Sequence, residues 1–166
     1  MKPLFIALAL VLLPTTAQAE ETLYMENDLP TEWTSPLTSA VNDWNKSPYV
    51  QIAVVAGDST CYDFDYTLEF CWSTYTPTPA WIGLTSIWND PQGNLRYAVS
   101  EANAGKSWGT AKRRFLACHE LGHAMGLAHS TATSGSGCMV ARFAYVTSYP
   151  ARPSTENYAA LTPATP

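Results

Sequence analysis

The three histidines of the chain all lie within one short segment, residues 119–129. His119 and His123 are four positions apart, so on a helix their imidazoles project from the same face, close enough to bind one metal ion. Imidazole nitrogen at this spacing suits zinc. Glu120 follows the first histidine directly, which places its carboxylate near the ion but angled away from direct ligation. The spacing therefore predicts a zinc site with a carboxylate beside it that can act on water.

The third histidine can reach the same ion only if the helix ends before it. On an uninterrupted helix that rises 1.5 Å per residue, His129 would lie about 15 Å along the axis from His119. Gly126 is the expected turning point, since glycine readily adopts the left-handed conformation that ends helices. Three histidine ligands leave one coordination position open, as in catalytic zinc sites. The competing interpretation is a zinc ion that only stabilises the fold.

The run His-Glu-Leu-Gly-His-Ala-Met-Gly-Leu-Ala-His, from His119 to His129, resembles the zinc signature of the metzincin clan of metallopeptidases. With Ser130 after the last histidine, it is most similar to the matrixin branch and its small bacterial relatives. The family has a tight turn under the zinc ion that carries a methionine. Met139, ten residues beyond the last histidine, is the candidate, and filling an apolar gap is its alternative role.

The resemblance implies an α+β fold with a twisted, mixed and mostly parallel sheet, a zinc-binding helix, a Met-turn and a C-terminal helix. It implies a secreted zinc endopeptidase in which Glu120 serves as general base and then general acid for a water molecule activated by zinc. Residues 81–102 would include the edge strand along which an extended peptide or protein substrate lies. A zinc amidase acting on cell-wall or other non-protein amides, and a catalytically silent binding module stabilised by zinc, are the alternatives.

The first 19 residues carry the pattern of an export signal. A short cationic start precedes an apolar core from Leu4 to Leu13 and the small-residue sequence Ala17-Gln18-Ala19. We expect cleavage after Ala19 and one catalytic domain over residues 20–166, located outside the cell or in the periplasm. With a net charge of −5, the chain lacks the positive field that nucleic acid requires, and no apolar run approaches the roughly 20 residues that span a bilayer. We expect a monomer.

Export makes disulfides the expected state of the four cysteines. Three connectivities are possible, and the pairing Cys61–Cys71 with Cys118–Cys138 is favoured because it closes compact loops. In that pairing one bridge ties the first zinc ligand to the turn methionine, because each of its cysteines directly precedes one of them.

Local patterns predict the remaining elements. Residues 61–79 are interpreted as a loop or short hairpin held by the first disulfide, and residues 162–166 as a frayed tail. Helices are predicted over residues 36–46, 110–126 and 155–161, and strands over 49–56, 81–88 and 95–102. Ser154 is the predicted cap of the last helix.

Three further groups of residues have less specific patterns. Asp63, Asp65 and Glu69 form either a solvated acidic loop, which is favoured, or a set of oxygen ligands for a hard cation. The basic run over residues 112–114 is interpreted as a solvated helix face rather than a contact for an acidic substrate. The aromatic residues of the segment after the turn, which would shape substrate preference, are Phe143, Tyr145 and Tyr149.

Overall fold

A computed structural model of the chain describes residues 21–74, 81–130, 137–141 and 150–161. The predicted export signal and the predicted tail lie outside these ranges, and so do the aromatic residues Phe143, Tyr145 and Tyr149. Within the described ranges, the structure has no helix with the length and apolar character needed to cross a membrane.

One layer of the fold is a mixed sheet. Its strands are β1 (Glu21–Asp28), β2 (Val50–Ala56), β3 (Leu68–Ser73), β4 (Gly83–Asn89) and β5 (Leu95–Asn103). They lie in the order β2-β1-β3-β5-β4, and every neighbouring pair is parallel except β4 with β5. A tight turn joins β4 to β5 directly, which only antiparallel strands allow. The sheet is mixed and mostly parallel, as predicted, with β4 at one edge.

The second layer consists of helices. The helices are α1 (Thr34–Trp44), α2 (Thr110–Ala124) and the short α3 (Thr155–Ala160). The first two pack against each other, and apolar side chains spaced three or four residues apart on α1 fill the core. One of these, Trp44, also donates a hydrogen bond from Nε1 to the carbonyl of Cys118 on α2 at 3.0 Å. The predicted cap of α3 is confirmed, because the Ser154 hydroxyl accepts from the Asn157 amide.

Two strands differ from the sequence expectations. The interpretation of residues 61–79 as a loop or hairpin is wrong for β3, which lies inside the sheet between β1 and β5. The sequence pattern did not predict this strand because Glu69 places a charged residue between the buried Leu68 and Phe70, where an apolar residue is expected. Its carboxylate is satisfied by the Tyr62 amide at 2.8 Å and by the Tyr97 hydroxyl. No prediction was made for β1, which pairs on both sides.

The basic run on α2 is only in part the favoured solvated face, because two of its three residues also contact carboxylates of the chain. Arg113 lies 3.7 Å from Glu32 and 5.9 Å from the ring of Trp33, while Lys112 alone of the three residues is exposed. Arg114 donates a hydrogen bond from Nη2 to Asp43 on α1 at 2.9 Å, and the Asp43 carboxylate also accepts from Lys46. The packing of α2 on α1 therefore turns two of the three cations toward carboxylates of the same chain.

The charged carboxylate of Asp43 should stabilise the packing of α1 against α2. Burial raises the pKa of this carboxyl, but the hydrogen bonds from Lys46 and Arg114 outweigh it and hold the pKa below its usual value. We expect Asp43→Asn to lower the free energy of unfolding by about 1–3 kcal/mol near neutral pH. Because the folded-state pKa is depressed, this stabilisation is complete above the unfolded-state value of about 3.9 and is lost as the pH falls through the folded-state value.

Urea unfolding of the metal-free proteins at several pH values measures this difference without interference from histidine ligation. The gap between wild type and Asp43→Asn should narrow steadily below about pH 4. Introducing Arg114→Met into the wild type and into Asp43→Asn measures the interaction between Asp43 and Arg114. Arg114→Met should lower the free energy of unfolding less in Asp43→Asn, where the carboxylate has already been removed. A gap that stays constant down to about pH 2 would contradict the assignment.

Candidate metal centre

The three histidine side chains converge on one point. Nε2 of His119 lies 3.1 Å from Nε2 of His123 and 3.2 Å from Nε2 of His129. A tetrahedral zinc ion with Zn–N distances of about 2.0–2.1 Å separates its ligand nitrogens by about 3.3 Å. The donor set therefore fits zinc in both size and chemistry.

The end of α2 brings the third histidine back, as its position requires. The helix stops at Ala124, and Gly126 adopts a left-handed φ of 86°. The Gly126 amide donates to the His123 carbonyl at 2.8 Å, and the Leu127 amide donates to the Gly122 carbonyl at 3.0 Å. A Cβ on Gly126 would meet nothing within 4 Å, so the backbone conformation rather than lack of space demands glycine here.

Two backbone carbonyls orient the imidazoles. Nδ1 of His119 lies 2.7 Å from the Cys138 carbonyl, and Nδ1 of His123 lies 2.7 Å from the Leu127 carbonyl. Since a carbonyl only accepts, each Nδ1 carries the proton and each Nε2 presents its lone pair to the common point. Burial lowers the pKa of His119 to about 4 and also lowers the pKa of His123. Both rings are therefore neutral near pH 7, the form that binds a metal.

The carboxylate of Glu120 is buried between α2 and the edge strand β4. The side chain is only 3% exposed, and its Oε2 accepts a hydrogen bond from Thr85 Oγ1 at 2.7 Å. Burial raises the pKa of Glu120 to about 7, although the Thr85 hydrogen bond opposes the rise. A Cβ on Gly83 would lie 2.4 Å from Oε1, so glycine leaves the room that this carboxylate needs.

Thr85 and Gly83 were not singled out from the sequence. Strand alternation places both on the same face of β4, but it does not reveal that this face meets α2. The cavity formed there has a volume of about 340 Å³ and is lined by β4 residues, by Glu120 and by the three histidines. It connects β4, an edge strand of the sheet in the described part of the chain, with the point at which the imidazoles converge.

Met139 packs directly beneath α2, the helix that carries His119 and His123. It is fully buried, and a Cβ placed on Gly122 would lie 2.3 Å from its sulfur. Its carbonyl accepts from the Ser130 amide at 2.7 Å, so the turn is also joined to the segment that follows the third histidine. The predicted disulfides, Cys61–Cys71 and Cys118–Cys138, are both present, and the second joins α2 to this turn.

The acidic residues Asp63, Asp65 and Glu69 are not brought together as a cation site. Glu69 instead shares a group of potential ligands with the disulfide-bonded Cys61 and Cys71, and its carboxylate is occupied by hydrogen bonds. The oxygen-ligand alternative for this set therefore finds no support.

Comparison with solved structures gives a clear similarity despite low sequence identity. Archaemetzincin from Methanopyrus kandleri matches with a TM-score of 0.55 and 11% identity, over 90% of this chain and 97% of the archaemetzincin chain. The fold is metzincin-like. Myroilysin is also similar, with a TM-score of 0.43 and 9% identity, over 69% of this chain and 53% of its own. No protein-family model and no curated protein matches the sequence.

The metzincin-like fold confirms the predicted α+β architecture, in which the histidine-bearing helix α2 packs on the turn of Met139 and the chain continues to a C-terminal helix. The narrower similarity to the matrixin branch stays a prediction.

Gly122→Ala tests the close packing of the helix on the turn. Alanine in a helix interior is normally favoured over glycine by about 1 kcal/mol. Here we expect Gly122→Ala to destabilise the protein instead, because Met139 occupies the space of the new methyl group. The variant should have a lower melting temperature and bind zinc more weakly. In a Met139→Ala background the same change should be less harmful, with the ring of Trp44, 2.9 Å from the new Cβ, as the remaining close contact. Circular-dichroism melting with and without zinc measures both effects, and a higher melting temperature for Gly122→Ala alone would contradict the packing.

The Cys118–Cys138 bridge should couple stability to metal retention. Closing a loop of 20 residues stabilises a fold by roughly 3 kcal/mol in the chain-entropy model. Replacing both cysteines by serine should lower the melting temperature and speed the loss of zinc to a chelator, because α2 and the turn lose their covalent link. The matched variant lacking Cys61–Cys71 should lose stability but keep its zinc. Equal zinc retention in the two variants would count against the coupling.

Proposed function

We propose that this chain is a zinc-dependent endopeptidase. The observation that carries the proposal is the combination of three converging imidazole nitrogens with the buried carboxylate of Glu120 in the wall of the same cavity. Three protein ligands leave a coordination position for water or substrate, whereas structural zinc sites usually take all four ligands from the protein. The similarity to the archaemetzincin fold is consistent with this function.

Each residue of the site has a distinct role in this proposal. His119, His123 and His129 would hold the ion, which when bound supplies a Lewis acid that polarises water and the scissile carbonyl. Glu120 removes the proton from the attacking water and later delivers it to the leaving nitrogen. Oε2 accepts from Thr85, so in this proposal Oε1, which has no bond from Thr85, is assigned the proton. Thr85 is a positioning residue, since it acts only through the carboxylate.

The edge strand β4 supports a peptide as the substrate. Among the described residues no strand pairs with its outer side, and Gly83, Leu84, Thr85 and Ile87 contribute to the cavity that contains the histidines. An extended peptide can add to such an edge through main-chain hydrogen bonds, which places its backbone beside the metal site. We propose a monomeric enzyme that takes peptide or protein substrates in this way and functions after export, where its two disulfides persist.

Digestion of casein by the purified protein, with and without a chelator, tests the proposal. We expect Glu120→Ala to retain stoichiometric zinc but to lose about 10²–10⁴-fold in turnover, the usual contribution of a general acid–base. The control Glu156→Gln removes an exposed carboxylate of α3 and should leave turnover unchanged.

Substantial turnover of Glu120→Ala at equal zinc occupancy would overturn the role of this carboxylate. Cleavage of cell-wall amides without cleavage of casein would favour the amidase alternative. Zinc binding without hydrolysis of either substrate would favour the silent binding module.

A further inference from the structure

A second group of side chains that could bind a metal ion lies near the carboxyl ends of β1 and β2. Glu26 and Asp28 end β1, and Asp58 follows β2. These strands are parallel neighbours, so their carboxyl ends meet at the same edge of the sheet. One carboxylate oxygen from each of the three residues lies within 4.8 Å of the other two. None of the three lines the cavity of the histidine site.

The backbone after β2 holds each carboxylate by one of its two oxygens. Oε1 of Glu26 accepts from the Asp58 amide at 3.3 Å, and Oδ1 of Asp28 accepts from the Ser59 amide at 2.8 Å. Oδ1 of Asp58 accepts from the Thr60 amide at 2.8 Å. A Cβ on Gly57 would lie 2.0 Å from Asp28 Oδ1, so glycine at this position is needed for the carboxylate to reach the loop.

The other oxygens of Glu26 and Asp28 are left without partners. Oε2 of Glu26 and Oδ2 of Asp28 are buried and accept no hydrogen bond from the described part of the chain. The Glu26 side chain as a whole is only 5% exposed. A buried carboxylate oxygen without a donor is strongly unfavourable, so two of them in one group indicate a missing positive ligand.

The charge balance of this group agrees with that conclusion. Burial raises the pKa of Glu26, and repulsion from Asp28, Asp63 and Asp58 raises it further. Burial likewise raises the pKa of Asp28, with Asp58 and Asp63 adding to it. The ion pairs found in the described ranges join other residues, Asp43 and Glu32 with Lys46, Arg113 and Arg114. No lysine or arginine of those ranges forms an ion pair with the acidic group.

We propose that Glu26, Asp28 and Asp58 bind a calcium ion. The donors are all oxygen, which favours a hard cation over zinc. Calcium accepts six to eight oxygens at 2.3–2.6 Å in flexible arrangements, so it tolerates three carboxylates with water in the remaining positions. Magnesium demands a tighter octahedron and gives up its water reluctantly. The ion would join the ends of β1 and β2 to the loop that leads to the first disulfide, and the inference does not depend on the proposed peptidase activity.

Calcium binding can be measured directly on the full mature protein. The protein is freed of metals, reloaded with one equivalent of zinc, and titrated with CaCl₂ in a calorimeter. We expect one calcium ion per chain and a rise in melting temperature of roughly 5–10 °C at about a hundredfold excess over the dissociation constant. No heat of binding and no thermal shift in CaCl₂ would overturn the site. An equal shift in MgCl₂ would overturn the choice of calcium.

Neutral variants separate a cation site from a merely structural acidic group. Asp28→Asn keeps the oxygen that accepts from Ser59 but removes a charge from the cluster. We expect it to raise the melting temperature without calcium, because repulsion is relieved, and to abolish the calcium response. Asp65→Asn, a charge-matched change at an exposed position between β2 and β3, should retain the response.

Asp58→Asn provides a second variant at an exposed ligand, where the fold should tolerate the change. Full calcium binding in both Asp28→Asn and Asp58→Asn would refute the proposal. Because zinc content and casein digestion are not the readouts, failure of the calcium site leaves the proposed peptidase function untouched, and the reverse also holds.

Discussion

Three imidazole nitrogens must meet at one point, and one straight helix can bring only two of them there. This constraint explains why α2 ends where it does. The left-handed Gly126 turns the chain, and the carbonyl of Leu127, exposed by that turn, accepts from Nδ1 of His123. The turn that ends α2 therefore also orients the imidazole of His123. A change at the turn would disturb two of the converging histidines together, because His129 lies only three residues beyond Gly126.

A second constraint comes from below the helix. The turn that contains Met139 supplies the carbonyl that orients His119, the sulfur that fills the space beside Gly122, and the cysteine bonded to Cys118. Covalent, apolar and hydrogen-bonding contacts thus join the same two segments. Such redundancy suits a metal site, because ligand nitrogens must be held within a few tenths of an ångström before the ion arrives. Helix stability and ligand geometry are consequently coupled in this fold.

The sequence predicted the local parts of this arrangement and missed the non-local ones. The histidine spacing, the glycine turn and the cap of α3 involve residues close together in the chain, so their patterns were sufficient. β3 was missed because its buried Glu69 is satisfied by Tyr62 and Tyr97, partners that no local pattern reveals. Thr85 could not be predicted for the same reason, since its contact with Glu120 depends on which face of β4 meets α2.

The two clusters of potential metal ligands differ in the physics that would select their ions. The histidine set offers nitrogen, which binds zinc well and calcium poorly, and burial keeps His119 and His123 in the neutral form. The set formed by Glu26, Asp28 and Asp58 offers only oxygen and gathers negative charge without a counter-ion in the described ranges. A general chelator would remove metal from both sets, so loss of the proposed activity in its presence would not by itself show which ion that activity requires. Adding back one metal at a time distinguishes the two sets. Zinc would refill the histidine set, whereas calcium would refill the carboxylate set at the ends of β1 and β2.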